Sequence, residues 1–135
     1  MRTLMDTGPW VALIDRSENR HEECVEWLRH FEGEIFSTEA VLTEVLYLLD
    51  FSSQAQSAAI GFVLNGAITL VPSSIGSLRE VKGLMKRYQD LPMDFADATL
   101  VSTAQDLGIY DIVTFDRKDF GIYRAGRKSF FNAVP

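Results

Sequence analysis

Residues 3–8, Thr-Leu-Met-Asp-Thr-Gly, decide the fold because they lead from an apolar run through a single acid into a helix start. The β-branched and apolar residues of 2–6 predict a short strand that ends at Asp6. A helix follows to about residue 15, with Asp6 or Thr7 as its N-cap. A strand that passes directly into a helix is typical of a layered α/β domain.

The same alternation continues along the rest of the chain. Helices are predicted at about 20–31, 39–50, 53–65, 75–89 and 94–107, and strands at 34–37, 68–71, 111–115 and 129–134. Strands that alternate with helices imply parallel pairing. Since no linker, repeat or low-complexity tract interrupts the pattern, residues 1–135 are expected to form one domain.

The composition excludes several classes of protein. The 135 residues are 47% hydrophobic and 24% charged, as in ordinary globular domains, and no run approaches the roughly 20 apolar residues of a membrane span. Asp6 and Gly8-Pro9 break the N-terminal pattern that a signal peptide would need. The single cysteine, Cys24, forms neither an internal disulfide nor a thiolate metal site. We therefore expect a cytoplasmic protein with no membrane partner.

Four acids lie where apolar segments stop or on an apolar helix face. Asp6 and Asp116 end predicted strands, and parallel strands share one C-terminal edge. Asp97 heads an apolar stripe in the first turn of helix 94–107, near the same edge. Glu44 shares its helix face with apolar residues, where an unpaired carboxylate is rarely buried. Because no base pairs locally with Asp6, Glu44 or Asp97, a divalent cation with oxygen ligands is the simplest common partner.

Each acid also has a purely structural interpretation. Asp6 and Asp116 would cap the turns that follow them, and Asp94 with Asp97 would form a capping-box-like pair. Shared placement favours one site. Two carboxylates about 4 Å apart repel by roughly 4 kcal/mol at an effective dielectric near 20. We therefore expect Mg²⁺ or Mn²⁺ to raise the melting temperature.

The net charge of −6 does not exclude a nucleic-acid partner. Of the 19 acids, four are assigned to the site, and the remaining 15 (19 − 4) nearly balance the 13 bases. The bases form two clusters: Arg79, Lys82, Lys86 and Arg87 in helix 75–89, and Arg117, Lys118, Arg124, Arg127 and Lys128 after Asp116. The first cluster is equally consistent with a solvated helix face. The second begins beside a site acid, which favours a role in holding phosphates.

Four segments resemble the PIN-domain ribonucleases, and most of all the VapC-type toxins of prokaryotic toxin–antitoxin pairs. They are Leu-Met-Asp-Thr-Gly at 4–8, Thr-Glu-Ala-Val-Leu-Thr-Glu-Val-Leu at 38–46, Asp-Ala-Thr-Leu-Val-Ser-Thr-Ala at 97–104, and Ile-Val-Thr-Phe-Asp-Arg-Lys-Asp-Phe at 112–120. Their order and spacing cover essentially the whole chain. The resemblance implies a three-layer α/β/α sandwich with a mainly parallel sheet of about five strands.

The resemblance also implies a metal-dependent endoribonuclease that leaves 5′-phosphate and 3′-hydroxyl ends. Its catalytic and metal-binding residues would be Asp6, Glu44, Asp97 and Asp116, with Mg²⁺ or Mn²⁺ as the cofactor. Asp6 and Asp97 would be the most direct ligands, and loss of Asp116 should matter less, since many family members carry Asn or Arg there.

Further residues take auxiliary roles by the same resemblance. Thr114 and Thr7 would hold carboxylate or phosphate oxygens, and Asp94 would be a cap, an auxiliary ligand or the alternative third acid. The bases expected to grip flanking phosphates are Arg117, Lys118 and Arg124.

The partners implied are an RNA substrate, a small antitoxin and a second copy of the chain. For the homodimer interface we expect the apolar residues Leu46, Tyr47, Leu48, Leu49 and Phe51, together with the helix that follows. One alternative is a non-catalytic module that binds RNA or a protein and uses its metal for stability. A phosphoryl-receiving α/β domain is disfavoured, because no acidic pair follows the first strand and Asp116, rather than a lysine, follows the last.

Overall fold

The computed structural model describes residues 1–126 and 129–135. In chain order its elements are β1 (Arg2–Met5), α1 (Thr7–Ile14), α2 (His21–His30), β2 (Glu34–Thr38), α3 (Glu39–Leu48), α4 (Ser53–Leu64), β3 (Ile68–Val71), α5 (Ile75–Arg87), α6 (Phe95–Leu107), β4 (Asp111–Val113), α7 (Arg117–Ile122), β5 (Arg124–Ala125), β6 (Ser129–Phe130) and β7 (Asn132–Val134).

Five strands form a parallel sheet in the order β3-β2-β1-β4-β7. The register places Leu4 of β1 between Phe36 of β2 and Ile112 of β4. Residues 3–5 of β1 are all buried, as expected for a central parallel strand whose two faces are both covered by helices. The predicted α/β class, with its three layers and mainly parallel sheet, is confirmed.

Helix α6 lies in the core rather than at the surface. All residues from Ala98 to Ala104 are buried, so burial extends beyond the apolar stripe predicted for one face and includes the hydroxyl residues Thr99, Ser102 and Thr103. Gly108 ends α6 in the left-handed conformation with φ +67°, which a glycine adopts without a steric penalty. This burial fixes the first turn of α6, and therefore Asp97, against the sheet.

Two predictions about the C-terminal part of the chain are wrong. The single strand expected at 129–134 is divided: β7 completes the parallel sheet, whereas β6 pairs antiparallel with β5. Helix α7 was not predicted, because its six residues are too few to display a helical period and include Gly121. The strand expected at 111–115 ends at Val113, so Thr114 lies in the loop after the sheet.

The segment proposed as a dimer interface is only partly exposed. Tyr47, Leu48 and Phe51 are 74%, 50% and 66% exposed, whereas Leu49 is fully buried in the core. On the following helix α4, Leu64 is 83% exposed. Within the described part of the chain, no helix combines the length and the apolar character that a bilayer crossing requires.

Candidate functional site

The strand order reverses at one place in the sheet, and the acids gather there. From β1 the chain moves to β2 and then β3 on one side, and returns to β4 on the other side of β1. In an open α/β sheet, the C-terminal ends of two such strands border the crevice where ligands bind. Asp6 follows β1, and its backbone N–H donates to the carbonyl of Val113, the last residue of β4 (3.0 Å).

A buried hydroxyl joins the two strand ends. Thr114 Oγ1 donates to Asp6 Oδ2 (2.7 Å) and accepts from the backbone N–H of Asp116 (3.0 Å). The other oxygen of Asp6 accepts from the N–H of Thr7 (2.8 Å), so the carboxylate is fixed at both atoms. Thr114 is fully buried, and it therefore aligns the two strand-end acids from beneath.

Thr7 brings the third acid to the same place. Its hydroxyl donates to Glu44 Oε2 (3.0 Å) and so connects the first turn of α1 to α3. Burial, and then the nearby Asp94, raise the pKa of Glu44. The apolar face expected around Glu44 does not extend as far as predicted, because Leu48, one turn further on, is half exposed.

Helix α6 supplies the remaining acids. Asp94 is its N-cap, with Oδ1 accepting from the N–H of Asp97 (2.8 Å). The Asp97 carboxylate points to the site and accepts a hydrogen bond at Oδ2 from the phenol of Tyr123 (3.2 Å). Asp94 and Asp97 thus lie side by side, and the structure assigns the capping role to Asp94.

These acids and Asp119 form a group that we call the acidic edge: Asp6, Glu44, Asp94, Asp97, Asp116 and Asp119. Burial, with smaller contributions from the charges of Asp116 and Glu44, outweighs the hydrogen bonds from Thr114 and Thr7 and raises the pKa of Asp6 to about 6. Burial, then Asp94 and then Asp6 raise the pKa of Asp97 to about 8. The carboxylates therefore lie close enough to hinder one another's ionisation.

The capping interpretation holds for three of these acids. Asp6 caps α1, Asp94 caps α6, and Asp116 caps α7 by accepting from the N–H of Asp119 (3.0 Å). A cap uses only one oxygen of a carboxylate, so capping does not by itself prevent these acids from facing a ligand. The same residue can end a strand, start a helix and face a ligand.

The carboxylate oxygens of the acidic edge are the type of ligand that a hard cation binds, although the side chains are too far apart to surround one. Within residues 1–126 and 129–135, no three or more Asp, Glu, His or Cys side chains are grouped closely enough to hold a metal ion. Across the same residues, the ion pairs of basic side chains lie on or beside α2, as in Arg20–Glu23, so none neutralises the acidic edge. Oxygen-only donors with unrelieved negative charge are the ligands that Mg²⁺ and Mn²⁺ prefer.

The bases expected to bind substrate have different surroundings. Arg117 and Lys118 are exposed at the start of α7, next to Asp116, and Arg117 also donates to the carbonyl of Pro135. Arg124 is half-buried and makes contacts within the protein. Its Nη1 donates to the carbonyls of residues 121–123, and its guanidinium stacks 3.8 Å from the centre of the Phe130 ring. Arg127 and Lys128, the rest of the cluster, lie outside the described residues.

Sequence reasoning missed two residues at this edge. Tyr123 follows the unpredicted helix α7, and no acid lies next to it in sequence to indicate its contact with Asp97. Arg20 stacks its guanidinium 4.0 Å from the ring centre of Phe115, the residue between Thr114 and Asp116. Both contacts join segments that are far apart in sequence, so no local spacing could reveal them.

Comparison with known proteins agrees with this architecture. The model of the PIN domain family matches residues 3–128. The fold is similar to that of VapC20 from Mycobacterium tuberculosis, a toxin that cleaves the sarcin-ricin loop, with a TM-score of 0.79 and 20% sequence identity over 86% of this chain and 91% of that chain. No curated protein matches the chain in sequence.

Two further structures share the fold over almost the whole chain. A toxin–antitoxin complex from Klebsiella pneumoniae gives a TM-score of 0.69 at 20% identity, with 98% of this chain and 96% of that chain covered. VapBC2 from Rickettsia felis, bound to a DNA fragment from its promoter, gives 0.67 at 15% identity, with 100% of both chains covered. At these identities the structures establish the fold and not the chemistry.

Proposed function

Because the chain belongs to the PIN domain family, we propose that it is a Mg²⁺- or Mn²⁺-dependent endoribonuclease and the toxin of a type II toxin–antitoxin pair. The observation that carries this proposal is the link made by Thr114, which hydrogen-bonds Asp6 and the backbone of Asp116 at the reversal point of the sheet. If Asp6 and Asp116 only capped helices, there would be no reason for one buried hydroxyl to hydrogen-bond to both residues.

The proposed metal ligands are Asp6, Glu44, Asp97 and Asp116, with Asp94 as an auxiliary. A bound divalent ion would supply Lewis acidity, a water of lowered pKa and charge neutralisation at the phosphate. The hydroxyls of Thr7 and Thr114 hold Glu44 and Asp6 by one oxygen each. The protein would thereby keep its carboxylates oriented before the substrate arrives.

Substrate binding is assigned to the exposed bases beside Asp116. Arg117 and Lys118 start α7, so their charges lie next to the acidic edge and would attract the phosphates that flank the scissile bond. Arg124 takes a supporting part in this proposal, because its guanidinium holds the C-terminal carbonyls of α7 and thereby the loop that carries Tyr123. Cleavage is proposed to leave 5′-phosphate and 3′-hydroxyl ends.

The partners are part of the same proposal. The structures with the shared fold include a toxin–antitoxin complex and VapBC2 bound to promoter DNA, which supports a small antitoxin as the inhibitor of this chain. A homodimer is proposed through the exposed Tyr47, Leu48 and Phe51 with α4. Leu49 is excluded from that surface because it is buried in the core.

The test is cleavage of single-stranded RNA by the purified protein with Mg²⁺ or Mn²⁺ and with EDTA. Cleavage should require the ion and should be lost in Asp97→Asn and Asp6→Ala. The exposed Asp50, outside the acidic edge, provides the matched control, so Asp50→Asn should cleave normally. Mapping of RNA 5′ ends after induced expression of the wild type and of Asp6→Ala would identify the RNA that is cut.

One observation favours a second candidate, a PIN-fold module that binds RNA or a protein without cutting it. The carboxylates in the described chain are not grouped closely enough to hold a metal ion directly. A module that does not cut RNA needs no catalytic metal, and this candidate is proposed without the stabilising metal that the sequence alternative included. If RNA is bound but cut equally slowly by the wild type and Asp97→Asn at saturating Mn²⁺, this second candidate replaces the first.

A further inference from the structure

We infer that Tyr123 is a positioning residue for the proposed metal site, because its phenol holds one carboxylate oxygen of Asp97 and leaves the other for the cation. The inference rests on the proposed function in one respect, since it assumes that Asp97 is a metal ligand. It adds a residue from outside the acidic quartet, supplied by the loop after α7.

The contact is built from a fully buried side chain. Tyr123 is 0% exposed, and its hydroxyl lies 3.2 Å from Asp97 Oδ2. That distance lies beyond the usual range of O–H···O hydrogen bonds, so the contact is a weak hydrogen bond whose direction is set by the packing of the ring. A buried hydroxyl needs a partner, and Asp97 is the partner it has.

Aromatic packing fixes the direction of the phenol. The ring of Tyr123 makes edge-to-face contacts with Phe120 (5.2 Å between centroids, 83°) and with Tyr88 (5.1 Å, 65°). The hydroxyl of Tyr88 accepts from the backbone N–H of Arg124, the residue after Tyr123. With its ring held on two sides and its backbone held by Tyr88, Tyr123 has little freedom to turn away from Asp97.

The consequence concerns both oxygens of Asp97. Among the described residues, no other side chain or backbone group donates a hydrogen bond to this carboxylate. The phenol occupies Oδ2 and leaves Oδ1 free to bind the cation. Glu44 is arranged similarly by the Thr7 hydroxyl, whereas both oxygens of Asp6 accept hydrogen bonds, from Thr114 and from the N–H of Thr7. Hydrogen bonds behind a ligating carboxylate typically change metal affinity or activity by about 10–100-fold.

The variant that tests this is Tyr123→Phe, which removes only the hydroxyl. We expect its affinity for Mn²⁺, measured by calorimetric titration, to fall about 10–100-fold. The concentration of Mn²⁺ that half-activates RNA cleavage should rise in proportion, while kcat returns toward the wild-type value at saturating ion. A purely structural role would instead lower kcat at every Mn²⁺ concentration and leave the affinity unchanged.

Tyr110→Phe is the matched control. It removes an exposed phenol just before the start of β4, at the opposite end of that strand from the acidic edge, and within the described residues this hydroxyl donates to no carboxylate. Its affinity for Mn²⁺ should equal that of the wild type. In an Asp97→Asn background, Tyr123→Phe should cause no further loss of affinity, since the two changes remove the same interaction.

The outcomes separate the two proposals. If the wild type binds Mn²⁺ and Tyr123→Phe binds it equally well, the role of Tyr123 is overturned and the proposed function stands. If the wild type binds neither Mg²⁺ nor Mn²⁺, the proposed function fails and the role of Tyr123 fails with it. Should Tyr123→Phe be less stable, the rise in melting temperature on adding Mn²⁺ still measures affinity, because each variant is compared with itself.

Discussion

Among residues 1–126 and 129–135, carboxylates come together at the acidic edge and at a second place on α5 and α6, and the two groups differ in burial and in their hydrogen bonds. At the acidic edge, acids from β1, α3, α6 and the loop after β4 meet at the reversal point of the sheet. On the far side of α6, Glu80 of α5 lies beside Asp106, and its Oε2 accepts from Ser102 Oγ (2.7 Å). We call Glu80 and Asp106 the helix-side acid pair.

The two groups differ in burial and in what holds them. In the helix-side pair, burial and then the hydrogen bond and charge of Glu80 raise the pKa of Asp106, but Asp106 is exposed to solvent. Water screens such a pair and makes its repulsion weak. Asp6 is instead covered by the protein, and its carboxylate accepts hydrogen bonds from Thr114 and the N–H of Thr7, so water does not screen its charge. Two acids that merely lie close together are therefore a weak indication of a functional site. Buried acids that come from several helices and strands and accept hydrogen bonds from the protein are a strong indication.

The largest difference between the two groups should appear in catalysis. Asp97→Asn should lower kcat for RNA cleavage by about 10³-fold or more, since a lost metal ligand removes several kcal/mol of transition-state stabilisation. Asp106→Asn, the matched change in the helix-side pair, should leave kcat within about twofold. Single-turnover cleavage of a labelled RNA measures both rates. Equal losses would show that the acidic edge and the helix-side acid pair do not differ in their effect on catalysis.

The next effect concerns the hydroxyls. Thr114→Val removes a buried donor to Asp6 and leaves the N–H of Asp116 without its partner, which should destabilise the protein by about 1–3 kcal/mol. Thr114→Ser, which keeps the hydroxyl, should restore most of that loss. Denaturant unfolding measures both variants. Ser102→Ala, at the helix-side pair, should cost under about 1 kcal/mol, and an equal cost at the two positions would contradict the comparison.

The pH dependence of the metal-free protein should come mainly from the acidic edge. The raised pKa of Asp97 (about 8) and of Asp6 (about 6) mean that ionisation opposes folding. The penalty is present above the folded pKa and is relieved as the pH falls toward the unfolded value near 4. From pH 8.5 to pH 6 in EDTA, stability should rise by about 1–2 kcal/mol, after a discount for the partial exposure of Asp97.

Thermal unfolding in EDTA measures this trend. Asp97→Asn should flatten it and should melt above the wild type at pH 8.5, because its amide accepts from Tyr123 without a charge. Saturating Mn²⁺ should reverse the order by stabilising the wild type alone, by about 2.7 kcal/mol at a hundredfold excess over the dissociation constant. A wild type whose melting temperature is the same at both pH values in EDTA would show that the acids do not repel.

The smallest effect should belong to the helix-side pair in the same experiment. Asp106→Asn should change the melting temperature by less than about 2 °C at either pH, since an exposed pair contributes about 0–1 kcal/mol. Addition of Mn²⁺ should not alter the difference between this variant and the wild type. A clear Mn²⁺ dependence there would identify a second ion-responsive group.

The sequence by itself determined the architecture and drew attention to the four acids that are proposed as metal ligands. Strand-to-helix alternation depends on local periodicity, so β1, α1 and the parallel sheet were predictable. The acids were visible because a carboxylate that interrupts an apolar run requires an explanation. Helix α7 was not predictable, because six residues are stabilised there by an Asp116 cap and a buried Phe120, neither of which has a periodic signal.

Only the tertiary structure decided what holds each acid and which neighbours matter. Tyr123 reaches Asp97 across 26 positions, Thr7 reaches Glu44 across 37, and Thr114 reaches Asp6 across 108. Arg124, proposed to bind phosphate, also donates to the carbonyls at the end of α7. Such contacts depend on the reversal of strand order beside β1, which places distant segments together. Local sequence specifies local conformation, whereas the partners of a side chain are set by the packing of the whole chain.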